Sequence, residues 1–260
     1  MKRVLVISDL HCGHHAGLTP PDWNPAYSPQ APGYALYWQR RLNWKFYAEA
    51  VAELQPIDVL IVNGDATEGK GERSGSTEIL TADRIEQTDM AVAVIEEVKA
   101  KTVVLSYGTP YHTGNSEDFE NLVASGVDAR KIGSHDFLDV NGMIFDYRHH
   151  VGRSVIPHGR YTAIAREKLW NYLWAEHGEY PKANIVIRSH VHYFAYCGGF
   201  GWLGVVTPAL QGYGSKYGAR RCSGTVDFGV VWFDITEKGE MSWAWKIQKF
   251  RRARRQVIKA

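Results

Sequence analysis

Three short runs of apolar, largely β-branched residues, 2–8, 58–63 and 102–107, are separated by segments whose apolar positions recur at helical spacing. That alternation, with short connections, is the pattern of a parallel sheet with crossover helices. The helix over 37–54 would carry Leu42, Phe46, Ala50 and Leu54, and a long helix within 77–101 would carry Ile85, Val92 and Ile95 on one face. After residue 130 the rhythm shortens. Strands over 131–140 and 142–149 join at Asn141-Gly142, a strong hairpin signal. A helix over 160–177, with Ala165, Leu169 and Leu173 four apart, and a buried strand over 184–188 follow. Strands over 193–197, 202–206, 229–235 and 241–247 complete one α/β domain with two sheets.

Composition supports one core. The 260 residues are 45% hydrophobic and 22% charged, which excludes a disordered or fibrous chain. No apolar run approaches the ~20 residues that span a bilayer, and Val4-Leu5-Val6-Ile7 lacks a small-residue cleavage site, so a soluble cytoplasmic protein is expected. Cys12, Cys197 and Cys222 form no C-x-x-C and read as free thiols. Beyond Glu240 there are seven basic residues and no acidic ones; without those seven, 23 basic residues face 28 acidic ones. We therefore expect a domain over 1–245 and a basic tail over 246–260, the tail being a solvated terminus or a polyanion contact.

Parallel sheets present functional groups just past the carboxyl ends of their strands. Five successive strand ends here carry metal-competent side chains: Asp9-Leu10-His11, Gly64-Asp65, His112 after Gly108-Thr109-Pro110-Tyr111, His149-His150, and Ser189-His190-Val191-His192. A lone strand-end histidine means little, but five in succession imply a shared purpose. Carboxylate and imidazole without thiolate suit Mn, Fe, Ni or Zn rather than Ca or Mg.

In this order the blocks resemble those of the calcineurin-like metallophosphoesterases, D-x-H, G-D, G-N-H, H and G-H-x-H, with Ser189 at the usual Gly. The resemblance implies a two-sheet β-sandwich flanked by helices, a four-layer α/β/β/α fold. It also implies a dinuclear centre in which Asp9, His11 and His192 hold one divalent ion, His149 and His190 the other, and Asp65 bridges them. The chemistry implied is hydrolysis of a phosphate ester by metal-activated water, with manganese the first choice of metal. His149 and His150 compete for one position; alternation puts His149 on the apolar side with Phe145 and Tyr147.

The third block departs from the pattern. Thr109 stands where the family has its Asn ligand, and His112 follows three residues later, so either could fill that place, with Asn115 a distant substitute. We assign His112 as general acid. Other histidines, His14, His15 and His158, sit in loops and read as solvated, and the stretch from Trp170 to Trp174 reads as helix core. The Gly64–Gly71 segment nearly matches a phosphate-binding loop, but Gly71 replaces the required Ser or Thr, and Asp65 and Glu68 would oppose phosphate. There is no H-E-x-x-H, G-x-S-x-G or G-x-G-x-x-G.

Protein phosphatases of this family carry an Arg soon after G-D, and this chain does not. A phosphodiester is favoured, nucleic acid or nucleotide among the choices, because Lys216, Arg220 and Arg221 lie in the second of two long loops, 12–33 and 207–227. A small phosphomonoester, or a binding protein that keeps the fold without catalysis, are the alternatives. If the basic loop holds backbone phosphates, neutralising Lys216, Arg220 and Arg221 together should raise KM for a polyanionic substrate far more than for a small activated ester. The difference should shrink in added salt, and equal effects on both substrates would contradict the assignment.

Overall fold

The computed structural model describes residues 1–31, 33–72, 75–113, 118–154, 156–213 and 226–248. In chain order the first part supplies β1 (Lys2–Ile7), α1 (Tyr34–Glu53), β2 (Val59–Asn63), α2 (Arg84–Glu97) and β3 (Thr102–Ser106). Two short helices follow, α3 (Pro110–Thr113) and α4 (Phe119–Gly126), then β4 (Lys131–Gly133), β5 (Asp136–Val140) and β6 (Met143–Tyr147). The rest comprises α5 (Gly159–Glu176), β7 (Ile185–Arg188), β8 (Ala195–Gly199), β9 (Trp202–Val206), β10 (Phe228–Ile235) and β11 (Met241–Gln248). Among the described residues no helix is long and apolar enough to cross a membrane.

One sheet has the order β11-β10-β1-β2-β3-β4, parallel from β1 to β4 and antiparallel at β10 and β11. The other runs β5-β6-β7-β9-β8, with β6, β7 and β9 parallel. Because side chains alternate across a strand, each sheet feeds two layers. Val4, Val6, Ile61, Val231 and Phe233 meet Phe145, Tyr147, Ile185, Ile187 and Val205 between the sheets. On the other face of the first sheet Leu5, Ile7, Leu60 and Val62 pack under Tyr47 and Val51 of α1 and Met90, Val94 and Ile95 of α2. The outer face of the second sheet packs Val186, Ala195 and Val206 under Ala163 and Ile164 of α5. This is the two-sheet α/β/β/α sandwich that the resemblance implies.

Several expectations need correction. The segment 131–140 is two strands, not one: β4 extends the first sheet, and the chain then crosses to begin the second as β5. Gly133 permits the crossing, since a Cβ there would collide with the Asp136 carboxylate folded back against it. Lys246 belongs to β11 rather than to a tail, and its ammonium pairs with Glu53 at 2.6 Å. Leu42 and Ile85, expected on the inner faces of their helices, are exposed. The apolar stripe of α5 also points outward: Leu169 and Leu173 are exposed, as are Trp170 and Trp174, so that stretch is not helix core. Its buried face instead carries Ala163, Ile164, Glu167, Lys168 and Asn171. Those charges have partners: Glu167 accepts from Arg188 Nε at 3.0 Å, and Lys168 donates to two neutral oxygens, of Asn171 and of the Ala183 carbonyl.

A buried polar chain joins the two sheets at the strand ends. Ser106 Oγ donates to Asn63 Oδ1 (2.7 Å), and Asn63 Nδ2 donates to Ser189 Oγ (2.6 Å) and the Arg148 carbonyl (3.1 Å). Ser189 Oγ then meets Thr207 Oγ1 (2.7 Å), which meets Ser8 Oγ (2.8 Å). The strands β1, β2, β3, β7 and β9 are thereby tied at one edge. Asn63→Ala would strand buried donors and acceptors from both sheets, and should lower stability by about 2–4 kcal/mol in urea unfolding. A loss below about 0.5 kcal/mol would show the chain to be dispensable.

Candidate metal centre

Asp9 and His11 follow β1, Asp65 follows β2, His149 follows β6, and His190 and His192 follow β7. Five of these residues have left-handed backbones: Asp9 at φ 51°, His11 at 46°, Asp65 at 51°, His190 at 76° and His192 at 56°. Such a conformation costs a non-glycine residue about 1–3 kcal/mol and clusters at functional sites. Each reversal turns a side chain back over the strand ends. Pairing between loops holds the first three in place, with Asp9 N–H donating to the Gly64 carbonyl and His11 N–H to the Asp65 carbonyl, both at 3.0 Å. Gly64 and Gly108 are required by closeness: a Cβ on Gly64 would sit 2.5 Å from His149 Nδ1, and one on Gly108 would strike the Asp65 carboxylate.

The side chains converge. His192 Nε2 lies 3.2 Å from Asp9 Oδ1, His149 Nε2 lies 3.0 Å from Asp65 Oδ2, and His190 Nδ1 and His11 Nε2 lie 4.0 and 3.9 Å from that same Asp65 oxygen. Ligand atoms group as Asp9, His11 and His192, as His11, Asp65 and His112, and as Asp65, His149 and His190. Two imidazoles have their orientation set from behind. His149 Nδ1–H donates to the Asn63 carbonyl and His11 Nδ1–H to the Glu68 carboxylate, both at 2.7 Å, so each presents Nε2 to the centre.

The donor set fits divalent cations. Asp9 Oδ1 and His149 Nε2 are buried, and their near polar neighbours are the cluster's own His192 Nε2 and Asp65 Oδ2 in contacts short of hydrogen-bond geometry, an arrangement that a cation would complete. His11 Nε2 and His192 Nε2 stand 3.3 Å apart, a separation that two lone pairs tolerate only with a proton or a cation between them. Oxygen and imidazole donors in this mixture suit a borderline transition metal.

Electrostatics of the cation-free cluster follow from burial and pairing. Burial opposes charge on His149, but Asp65, and then Asp9, overcome it and hold the imidazole up to about 10. Burial likewise opposes charge on Asp65, yet His149 and His112 keep its carboxyl well below the usual range. Asp9 and His192 form a second such pair, carboxyl lowered and imidazole raised against the cost of burial. His11 differs, since burial outweighs Glu68 and lowers it.

Around the cluster, Thr109 lies against Asp65 and His190. Its N–H donates to Asp65 Oδ1 (2.6 Å), and its hydroxyl reaches Asp65 Oδ2 (3.3 Å) and His190 Nδ1 (3.1 Å). His112, in α3, donates Nδ1–H to the Glu68 carbonyl at 2.7 Å and stacks edge-on to His11 with centroids 4.7 Å apart. His149 is buried and His150 exposed, as alternation along β6 required. Among the loop histidines, His158 is exposed, but His14 is buried, accepts from Ala16 N–H at 3.0 Å, and is lowered to about 4 by burial. It is therefore not solvated. Sequence reasoning also missed Glu68 and Glu120. Glu68 stands three residues after Asp65, a spacing that could have drawn notice as a carboxylate behind a ligand. Glu120 carries no local signal: it arrives from α4, accepting from Ala66 N–H (2.9 Å) and Gly108 N–H (2.6 Å), and clamps the loops after β2 and β3. Lys216, Arg220, Arg221, Asn115 and Cys222 lie outside the described residues, as does the tail beyond Gln248.

No family model matches the chain, and no curated protein does. Solved structures do resemble it. An archaeal phosphodiesterase is 11% identical over 94% of this chain and 99% of its own, with a TM-score of 0.46. Vps29 from Entamoeba histolytica, complexed with zinc, is 14% identical over 94% and 98%, with a TM-score of 0.42. A predicted phosphoesterase from Streptococcus pneumoniae is 12% identical over 95% and 98%, with a TM-score of 0.39.

The Asp65–His149 pair predicts opposite pH trends with and without metal. His149 is raised on folding, so the stability it lends the cation-free protein is complete below pH 6.5 and lost as the pH climbs toward about 10. A divalent ion held by His149 Nε2 would displace that proton, so its stabilisation should grow over the same range. Thermal unfolding of chelator-stripped and manganese-saturated protein, followed upward from pH 6.5, should show two melting curves that diverge. Parallel curves would contradict the pair's assignment.

Proposed function

We propose that this chain is a dinuclear metal-dependent phosphoesterase, acting on a phosphodiester. What supports the reading is the convergence of five imidazoles and two carboxylates at one set of strand ends, where the nearest polar neighbours of Asp9 Oδ1 and His149 Nε2 are other ligand candidates. Asp9, His11 and His192 would hold one divalent ion, His149 and His190 the other, and Asp65, whose Oδ2 faces both sets, would bridge them. Manganese is the first choice, with Fe, Ni and Zn suited to the same donors. Two bound cations supply Lewis-acid charge for the phosphoryl oxygens and a nucleophilic water at neutral pH.

The chain's own groups do the rest. Asp65 is kept ionised by His149, so a shared anion stands between two sites of like charge. The Thr109 hydroxyl orients Asp65 and His190 where the Asn carbonyl is absent, which leaves the second site with fewer protein donors. The Nδ1–H of His112 is committed to the Glu68 carbonyl, so its Nε2 is the nitrogen free to hand a proton to the leaving oxygen. Lys216, Arg220 and Arg221 would bind the phosphate backbone, nucleic acid or nucleotide being the substrate class that uses such contacts. A small phosphomonoester needs none of these three, and a binding protein that retains the fold would show no turnover at all.

Two substitutions test the assignment. Asp65→Asn removes the shared negative charge and should abolish hydrolysis of activated mono- and diesters in added Mn²⁺, together with stoichiometric binding of the second ion. His112→Ala should slow esters with poor leaving groups by up to ~10²–10⁴ while sparing activated ones and leaving metal content unchanged. Loss of an ion in that variant would make His112 a ligand instead. Wild-type protein that binds no divalent ion would sink the proposal.

A further inference from the structure

On the outer face of α5, Leu169, Trp170, Leu173 and Trp174 are 59, 50, 45 and 37% exposed. Trp170 and Trp174 stack on each other, ring centroids 6.5 Å apart. The helix cannot turn this face inward, because its other face holds Glu167 on Arg188 and Lys168 on the Ala183 carbonyl. A contiguous patch of large apolar side chains, framed by polar ones, is the signature of a contact surface. The framing is specific. Arg166 and Glu176, both exposed, lie on the same stripe at its two ends, so that 166, 169, 173 and 176 follow the three-and-four spacing of one helix side.

We propose that this face joins two copies of the chain, their α5 helices packed antiparallel across a two-fold axis. In such a contact residue i meets residue j, and j meets i. The register that sets Leu169 on Leu173 of the second copy also sets Arg166 on its Glu176. Each pairing occurs twice. The apolar centre and both charged ends therefore complement themselves in one arrangement, while a parallel pairing would oppose Arg166 to Arg166 and Glu176 to Glu176. Self-complementarity of this kind is useful only to a second copy. Trp170 flanks the seam, where large aromatic side chains contribute most to association.

Sedimentation equilibrium of the full chain over a range of concentrations tests this, with thermal unfolding as the check that each variant is folded. All the substituted positions are exposed, so melting should stay near wild type. The wild type should approach twice the monomer mass, and Leu173→Asp should remain monomeric. Arg166→Glu should weaken dimerisation by about tenfold or more, since it faces Glu176 with a like charge. Combining Arg166→Glu with Glu176→Arg should restore the wild-type affinity. A wild type monomeric up to about 1 mM, a dimer that survives Leu173→Asp, or a charge exchange that fails to restore association would each overturn the proposal.

Discussion

Two sheets held together by apolar side chains alone resist separation but resist sliding only weakly, because dispersion and the hydrophobic effect have little direction. Hydrogen bonds supply the missing direction. The chain from Ser106 through Asn63, Ser189 and Thr207 to Ser8 fixes where the end of β2 stands against the end of β7. Everything at the candidate centre depends on that alignment, since Asp9, His11 and Asp65 belong to one sheet and His149, His190 and His192 to the other. Ser189 serves the fold here. Its hydroxyl is the link that crosses between the sheets.

Above that link the cluster is expensive. Five left-handed backbones, two buried carboxylates and five converging imidazoles would each destabilise a small domain if left alone. They persist because neighbours constrain them from several sides: Glu68 behind His11, the Asn63 carbonyl behind His149, Thr109 beside Asp65, and Glu120 across the two loops. Asn63 takes part twice, with its side chain in the seam between sheets and its carbonyl on His149. Folding accuracy and ligand geometry therefore share one residue.

On α5 the same balance runs the other way. Hydrophobic periodicity put Leu169 and Leu173 inside, yet Glu167 and Lys168 took that face because Arg188, Asn171 and the Ala183 carbonyl satisfy them. A buried charge is tolerable once it is paired or hydrogen-bonded, and such partners are invisible to a hydrophobicity pattern. What was displaced now covers the outside of the molecule. The apolar surface of that helix is a consequence of the polar network under it.

The strands other than the 131–140 segment, the long helices α1, α2 and α5, the metal-competent strand ends and the burial of His149 rather than His150 were legible along the chain, because each rests on short-range periodicity or on residues adjacent to a strand, whereas the short helices α3 and α4 were not expected. The split of 131–140 between two sheets was not, since a crossing needs only Gly133 and a partner strand on either side. Nor were Glu68 and Glu120 as supports of the centre, or the burial of His14. Glu120 lies 55 positions from Asp65 and meets its loop only after α4 docks. The sequence by itself determined which groups could do chemistry and at which strand ends they would stand. Only the tertiary structure decided how they are held, because the orientation of a side chain is set by hydrogen bonds from residues that folding, and not chain order, brings near.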